Sequence, residues 1–134
     1  MAIVKLGDNH IGLTSPYKGK TGFRRLWRAV LYSLDGIAAA FRHEDAFRQE
    51  SLLAVVLIPL ALTAPVPGSG KALLVASVLL VLVVELVNSS IEAVTDHISL
   101  EEHVLAKRAK DMGSAAVMLS LVNVPVVWLL VLLG

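Results

Sequence analysis

The sequence predicts an all-α integral membrane protein in which an N-terminal amphipathic surface helix precedes three transmembrane helices. Of its 134 residues, 56% are hydrophobic, and the mean hydropathy of +0.73 lies well above that of a soluble globular domain. Three apolar stretches follow the first 50 residues, and each is long enough to cross a bilayer core as a helix. A helically spaced apolar repeat comes before them.

Composition narrows the classes of function. A net charge of +1 indicates no bulk attraction to nucleic acid. The chain has no cysteine, which excludes disulfides, thiolate nucleophiles and thiolate metal sites. Its length suits one domain, and we expect that domain to cover residues 21–134.

Residues 1–20 are expected to form a mobile tail, because they contain Gly, Asn, Ser and Pro without periodicity. They include GLTSPYKGKT, which ends like a phosphate-binding loop. That loop needs four residues between its glycine and the Gly-Lys pair, whereas six separate Gly12 from Gly19, and no strand precedes them. A P-loop is therefore not expected.

A surface helix is expected over residues 21–48. Its apolar residues from position 23 to 41 recur at i, i+3, i+4 and i+7, with arginines on other faces, and Thr21 is a plausible N-cap. An aromatic stripe beside arginines suits a helix lying in the membrane interface. The alternative is a soluble helix packed on a partner.

Three spans are expected over residues 51–67, 72–96 and 113–133. Pro59 is expected to kink the first, Pro65 and Pro67 to turn the chain before the second, and a polar connection to occupy residues 99–110. Eight Lys and Arg residues precede the first span, one follows it, three follow the second and none follows the third. The positive-inside rule then predicts a cytoplasmic N-terminus and an outside C-terminus.

The second span ends in a set of polar residues that we call the acidic stripe: Glu85, Asn88, Ser89, Glu92 and Asp96. On a helix these five side chains fall within about a third of the circumference. An intramembrane carboxylate costs roughly 2.5 kcal/mol or more at the bilayer centre, so it marks a candidate functional site. The alternative is that these side chains have left the bilayer and face water.

Carboxylates and basic residues meeting at a cytoplasmic membrane surface suit a magnesium–polyphosphate ligand. Mg²⁺ is commonly held by one or two carboxylates together with substrate phosphates, so Glu44 and Glu92 are candidate metal ligands. Lys and Arg side chains near the same surface would neutralise the remaining phosphate charge. Glu85 lies deeper and could accept a proton from a hydroxyl that arrives from the lipid.

The run ELVNSSIEAVTDHIS followed by EEHVLAKRAKDMGSAAV closely resembles the prokaryotic diacylglycerol kinase family, as do TGFRRL, YS-DG and EDAFRQE. The resemblance extends from about residue 21 to the C-terminus. It implies a small homotrimeric enzyme of the bacterial inner membrane that uses Mg-ATP to phosphorylate diacylglycerol, giving phosphatidic acid. It also implies that Glu85 is the catalytic base and that Glu44 and Glu92 are the metal ligands.

The resemblance implies further roles by position. Asn88 and Asp96 would support the site. Nucleotide contacts are implied for Arg25, Tyr32, Glu44, Glu92, Glu101, Glu102, His103, Lys110 and Asp111. The lipid-substrate surface is implied for Arg25, Ala29, Val30, Leu31, Tyr32, Ser33, Leu34, Ala38, Ala39, Ala40, Phe41, Ala46, Phe47, Arg48, Gln49, Glu50, Glu85 and Ser114.

Three alternatives stay open from the sequence. An undecaprenol kinase of the same fold would differ only in its lipid acceptor. A small proton or ion transporter could use the acidic stripe as a relay, although the repeats or broken helices usual in transporters are not visible. A holin-like or scaffold protein would have no site, and neutralising Glu85 and Glu92 would then be silent.

Overall fold

The computed structural model describes residues 22–98 and 104–134, which form four α-helices. They are α1 (Phe23–His43), α2 (Asp45–Thr63), α3 (Gly68–Ile98) and α4 (Val104–Leu133). The chain divides into two units, one ending at Leu34 and the other running from Asp35 to Gly134. The predicted tail over residues 1–20 lies outside the described residues, as does Thr21.

The helix expected over residues 21–48 is interrupted at Glu44. This residue has extended dihedral angles (φ −111°, ψ 112°), and α2 begins immediately after it. Asp45 lies in the first turn of α2, where a negative charge interacts favourably with the helix dipole. The charged segment that the sequence assigned to the surface helix therefore opens the first long apolar helix. The location of α1 on a membrane surface stays a prediction.

The corner between α1 and α2 is held by the Arg48 side chain. Its Nη1 donates hydrogen bonds to the carbonyl oxygens of Phe41 (3.2 Å) and Arg42 (3.0 Å), at the C-terminal end of α1. Its Nη2 pairs with Asp45 Oδ1. Carbonyls in the last turn of a helix lack intrahelical partners, and a guanidinium satisfies them well.

Pro59 lies inside α2, and the chain turns at residues 64–67 before α3 begins at Gly68. The Thr63 hydroxyl, one turn further along α2, donates to the Pro59 carbonyl oxygen at 3.0 Å. The helix of the second predicted span begins at residue 68 rather than 72, since the Lys71 N–H already bonds the Pro67 carbonyl (3.0 Å).

α3 is the central helix of the second unit, packing against α2 on one side and α4 on the other. The buried apolar side chains include Leu74, Val78 and Val81 of α3 and the small residues Ala54 and Ala61 of α2. Small residues let helices approach closely where lipid supplies no hydrophobic driving force. A polar contact joins α3 and α4: Trp128 Nε1 of α4 donates a hydrogen bond to Ser77 Oγ of α3 at 3.3 Å.

α4 begins at Val104, so residues 104–110, expected as part of a polar connection, are helical and extend the third span. Lys107, Arg108 and Lys110 therefore lie on α4. Helices α2, α3 and α4 are each long and apolar enough to cross a membrane. Many of their large apolar side chains are exposed in the single chain. Together these features indicate a membrane protein.

Candidate active site

The acidic stripe is graded in burial along α3. Glu85 is 4% exposed, Asn88 8% and Ser89 9%, whereas Glu92 is half-buried and Asp96 is exposed. The alternative that these side chains simply face water therefore applies only to Asp96. The deeper members lie inside the helix packing, where a polar group must be compensated by nearby polar or charged groups.

Asn88 links the stripe to its half-buried carboxylate. Its Nδ2 donates a hydrogen bond to Glu92 Oε1 at 3.2 Å, one helical turn further along α3. Within the described part of the chain, the buried atoms Asn88 Oδ1 and Ser89 Oγ have no hydrogen-bond partner. Buried polar atoms are rarely left unpaired, so this end of α3 is built to meet another polar group.

Carboxylates from the α1–α2 corner join the stripe. Glu44 at the helix break and Glu50 in α2 are both half-buried. Glu44, Glu50 and Glu92 each lie within electrostatic range of Glu85. Glu44 occupies the N-cap position of α2 without using its carboxylate as a cap. The helix packing therefore gathers four carboxylates, three of them around the most buried one.

A cavity of about 180 Å³ opens between α2, α3 and α4 beside Glu50. Glu50 Oε2 is buried and lacks a hydrogen-bond partner among the described residues. The rest of the lining is apolar: Leu53, Ala54, Leu57, Val78, Val81, Leu121, Val124 and Pro125. The cavity thus places apolar walls next to the carboxylate cluster.

One basic side chain reaches the outer end of the stripe from α4. Lys110 Nζ donates to Asp96 Oδ1 at 2.8 Å, and the ammonium also lies within electrostatic range of Glu92. Both members of this pair are substantially exposed. An exposed ion pair contributes little stability, so this contact is best understood as orientation of the ammonium.

The donor set fits a magnesium ion. Among the described residues, no group of three or more His, Asp or Glu side chains is arranged to hold a metal. Mg²⁺ does not need such a cage, because it usually keeps several waters and takes one or two carboxylates with substrate phosphates. Glu44 and Glu92 are oxygen donors of this kind and lie within electrostatic range of Glu85; that they bind the ion together stays a prediction.

Other predicted positions are distributed over the chain. Ala40 and Phe47 are buried, while Phe41, Asp111 and Ser114 are exposed. Arg25, Tyr32 and the remaining predicted positions of residues 29–34 belong to the unit that ends at Leu34, so their place relative to the carboxylates stays a prediction. Glu101, Glu102 and His103 lie outside the described residues.

The sequence analysis missed Gly113. This buried residue of α4 lies against the Asn88 side chain, and a Cβ at position 113 would overlap Asn88 Oδ1. A glycine followed by small residues inside RAKDMGSAAV was the signal available, since small residues mark close helix contacts in membranes.

Comparison with known proteins gives a consistent result. Residues 31–132 match the model of a family described as prokaryotic diacylglycerol kinase. A diacylglycerol kinase of Pseudomonas aeruginosa is 54% identical over 120 residues, which cover 90% of this chain and 98% of that protein. One from Escherichia coli (strain K12) is 44% identical, covering 84% and 92%. One from Haemophilus influenzae is 45% identical, covering 81% and 92%.

The match covers all but the last two residues of the second unit, which carries the acidic stripe, Glu44, Glu50 and Lys110. The resemblance identified from the sequence is thereby confirmed. The chain is an enzyme that belongs to the prokaryotic diacylglycerol kinase family.

Proposed function

We propose that this protein transfers the γ-phosphoryl group of ATP to the free hydroxyl of diacylglycerol, giving phosphatidic acid, at the cytoplasmic surface of the bacterial inner membrane. The observation that carries the proposal is the burial of Glu85 in a membrane-spanning helix with Glu44 and Glu92 close by. Membership of the family and the printed names of its relatives support the choice of lipid.

Glu85 is the proposed general base. The lipid hydroxyl oxygen forms a bond to the γ-phosphorus while the bond from that phosphorus to the bridging oxygen of ADP breaks. The hydroxyl proton passes to the Glu85 carboxylate. A base buried between helices, rather than in bulk water, excludes solvent as a competing acceptor, which limits wasteful hydrolysis of ATP.

Glu44 and Glu92 are the proposed ligands of the magnesium that accompanies ATP. Mg²⁺ bound there would neutralise charge that develops on the transferring phosphoryl group. Glu44 is the N-cap residue of α2 and Glu92 lies on α3, so the separation of the two carboxylates depends on the packing of α2 on α3. Asn88 holds the Glu92 carboxylate through its 3.2 Å hydrogen bond, which restricts the orientation of that ligand.

Lys110 is the proposed contact for the nucleotide phosphates in the second unit. Asp96 orients its ammonium from the end of α3, and Asp111 follows it on α4. Further nucleotide contacts are proposed for Arg25, Tyr32, Glu101, Glu102 and His103. The predicted surface over residues 29–34, 38–41 and 46–50, with Ser114, is proposed to receive the lipid.

A homotrimer is the proposed assembly. The many exposed apolar side chains on α2, α3 and α4 leave ample surface for lipid and for further copies of the chain. Enclosing both a nucleotide and a lipid needs more surface than the three membrane helices of one chain provide. Cross-linking of the purified protein in detergent is expected to yield a species of three chains, and a purely monomeric or dimeric product would contradict the assembly.

Transfer of radiolabel from [γ-³²P]ATP to diacylglycerol in mixed micelles tests the activity. We expect labelled phosphatidic acid that requires Mg²⁺ and the lipid. Faster labelling of undecaprenol would assign the acceptor to the alternative kinase. ATP turnover that does not depend on any lipid alcohol, or no turnover, would contradict the proposal.

A further inference from the structure

Gly113 of α4 lies directly against Asn88 of the acidic stripe. Gly113 is buried, and a Cβ built on it would overlap Asn88 Oδ1, so any side chain at this position requires Asn88 to move. Asn88 is itself 8% exposed and therefore has little room to adopt another rotamer. The absence of a side chain at position 113 thus permits the observed position of the Asn88 carboxamide.

The orientation of that carboxamide reaches Glu92. With Oδ1 directed at Gly113 of α4, the Nδ2 group of Asn88 is directed along α3, where it donates to Glu92 Oε1 at 3.2 Å. A movement of Oδ1 away from α4 must also move Nδ2, since the carboxamide is planar. A change at Gly113 of α4 would therefore move the Asn88 side chain, and through its hydrogen bond the Glu92 carboxylate on α3.

We propose that Gly113 is a positioning residue for Glu92 and acts through Asn88. The consequence for metal binding rests on the proposed function, in which Glu92 is a magnesium ligand. Groups that hold a metal ligand in place commonly change metal affinity by about 10- to 100-fold when they are altered. The same range is expected for a substitution at Gly113, although Gly113 is not itself a proposed metal ligand.

A general packing role is the competing explanation, and Gly70 provides the matched control. A Cβ at Gly70 would lie 3.0 Å from Val131 Cγ1 and 3.1 Å from Val66 Cγ2, so Gly70→Ala also crowds a helix contact, but one with apolar neighbours. Gly70 lies at the start of α3, far along the helix from Glu92. Crowding alone would lower stability in both variants, whereas positioning would change metal binding only in Gly113→Ala.

The test is a double-mutant cycle of Gly113→Ala and Asn88→Ala, with Gly70→Ala as control. The probe is Mn²⁺, titrated by electron paramagnetic resonance in the presence of a non-hydrolysable ATP analogue, so that no turnover is involved. We expect Gly113→Ala to weaken Mn²⁺ binding about tenfold when Asn88 is present and to have almost no effect in the Asn88→Ala background. Gly70→Ala is expected to leave Mn²⁺ binding unchanged.

Equal weakening in both backgrounds would overturn the proposal, as would no weakening in either while Glu92→Gln does weaken Mn²⁺ binding. If Gly113→Ala does not fold, the double variant removes the overlap and is expected to fold; its failure to do so would also overturn the proposal.

A second measurement separates this proposal from the proposed function. Glu92→Gln is expected to shift the ¹⁵N side-chain amide signal of Asn88 in the otherwise natural protein and to leave it unchanged in Gly113→Ala. If Glu92→Gln does not alter Mn²⁺ binding, the assignment of Glu92 as a metal ligand fails, and the amide signal alone decides whether Gly113 positions the pair. An amide signal in Gly113→Ala identical to that of the natural protein would overturn the proposal.

Discussion

Lys110 Nζ lies 2.8 Å from Asp96 Oδ1, which joins the last turns of α3 to the first turns of α4 across residues 99–103. The two residues are 14 positions apart in the sequence, and the Lys110 ammonium also lies within electrostatic range of Glu92. A cation is thus held at the outer end of a cluster of carboxylates. At an exposed site, a charge-assisted hydrogen bond of this kind orients the lysine side chain more than it stabilises the fold.

Lys110→Gln is expected to raise the KM for Mg-ATP about tenfold, because a charge-assisted contact to phosphate is lost. Asp96→Asn should raise it less, since the ammonium remains but is less well oriented. Steady-state kinetics with varied Mg-ATP measure both effects. Arg108→Gln is the control, because Arg108 is also basic and exposed on α4 but projects from a different face; an equal effect there would indicate a general charge effect instead.

Glu85→Gln is expected to lower kcat by at least about 100-fold while the protein still assembles, because glutamine keeps the shape of the buried side chain but cannot accept the proton. The radiolabel transfer assay measures the rate, and cross-linking in detergent measures assembly. Asp35→Asn, which neutralises an exposed carboxylate of α1, is expected to retain activity. Turnover retained in Glu85→Gln would remove the assignment of the base.

Glu92→Gln is expected to raise the Mg²⁺ concentration needed for half-maximal activity, since an amide oxygen is a weaker ligand than a carboxylate. Glu44→Gln should act in the same direction if the two residues share the ion. Activity measured against free Mg²⁺ at fixed total ATP gives the comparison. A metal titration that coincides with that of the natural protein would argue that the substituted residue is not a ligand.

Ser77→Ala is expected to lower the free energy of unfolding by about 1 kcal/mol without changing kcat, because Trp128 Nε1 loses its partner inside the helix packing. Thermal unfolding in detergent, followed by near-ultraviolet circular dichroism, measures the stability. Ser90→Ala provides the control, since the Ser90 hydroxyl is exposed and donates to the Val87 carbonyl of its own helix. Equal losses in the two variants would contradict a specific role for the contact.

Apolar length and helical spacing were sufficient to predict the three membrane helices. A run of about 20 apolar residues has few other stable forms in a bilayer, where every backbone group needs an internal partner. The ends of the helices were harder to predict. Local composition around Glu44 is compatible with a continuing helix, and the break there depends on Arg48 turning back to the carbonyls of Phe41 and Arg42. The periodicity of apolar residues does not predict such side-chain to backbone contacts.

Helical periodicity alone could predict the candidate site only in its α3 part. Helical periodicity places Glu85, Asn88 and Glu92 on one face without knowledge of any other helix. Periodicity cannot say which element of the chain covers that face, so neither the approach of Glu50 nor the contact of Gly113 with Asn88 could be derived. Lys110 was predicted by resemblance, but its partner Asp96 required the fold.

The continuous helix α4 contains 30 residues and α3 contains 31. At 1.5 Å per residue each is about 45 Å long, whereas the hydrocarbon core of a bilayer is about 30 Å thick. Glu85 lies about 26 Å along α3 from Gly68, so the length of the helix sets the depth of the Glu85 carboxylate in the bilayer. Acyl-chain length in the surrounding lipid should therefore tune the rate, with an optimum where bilayer thickness brings the acceptor alcohol level with that carboxylate.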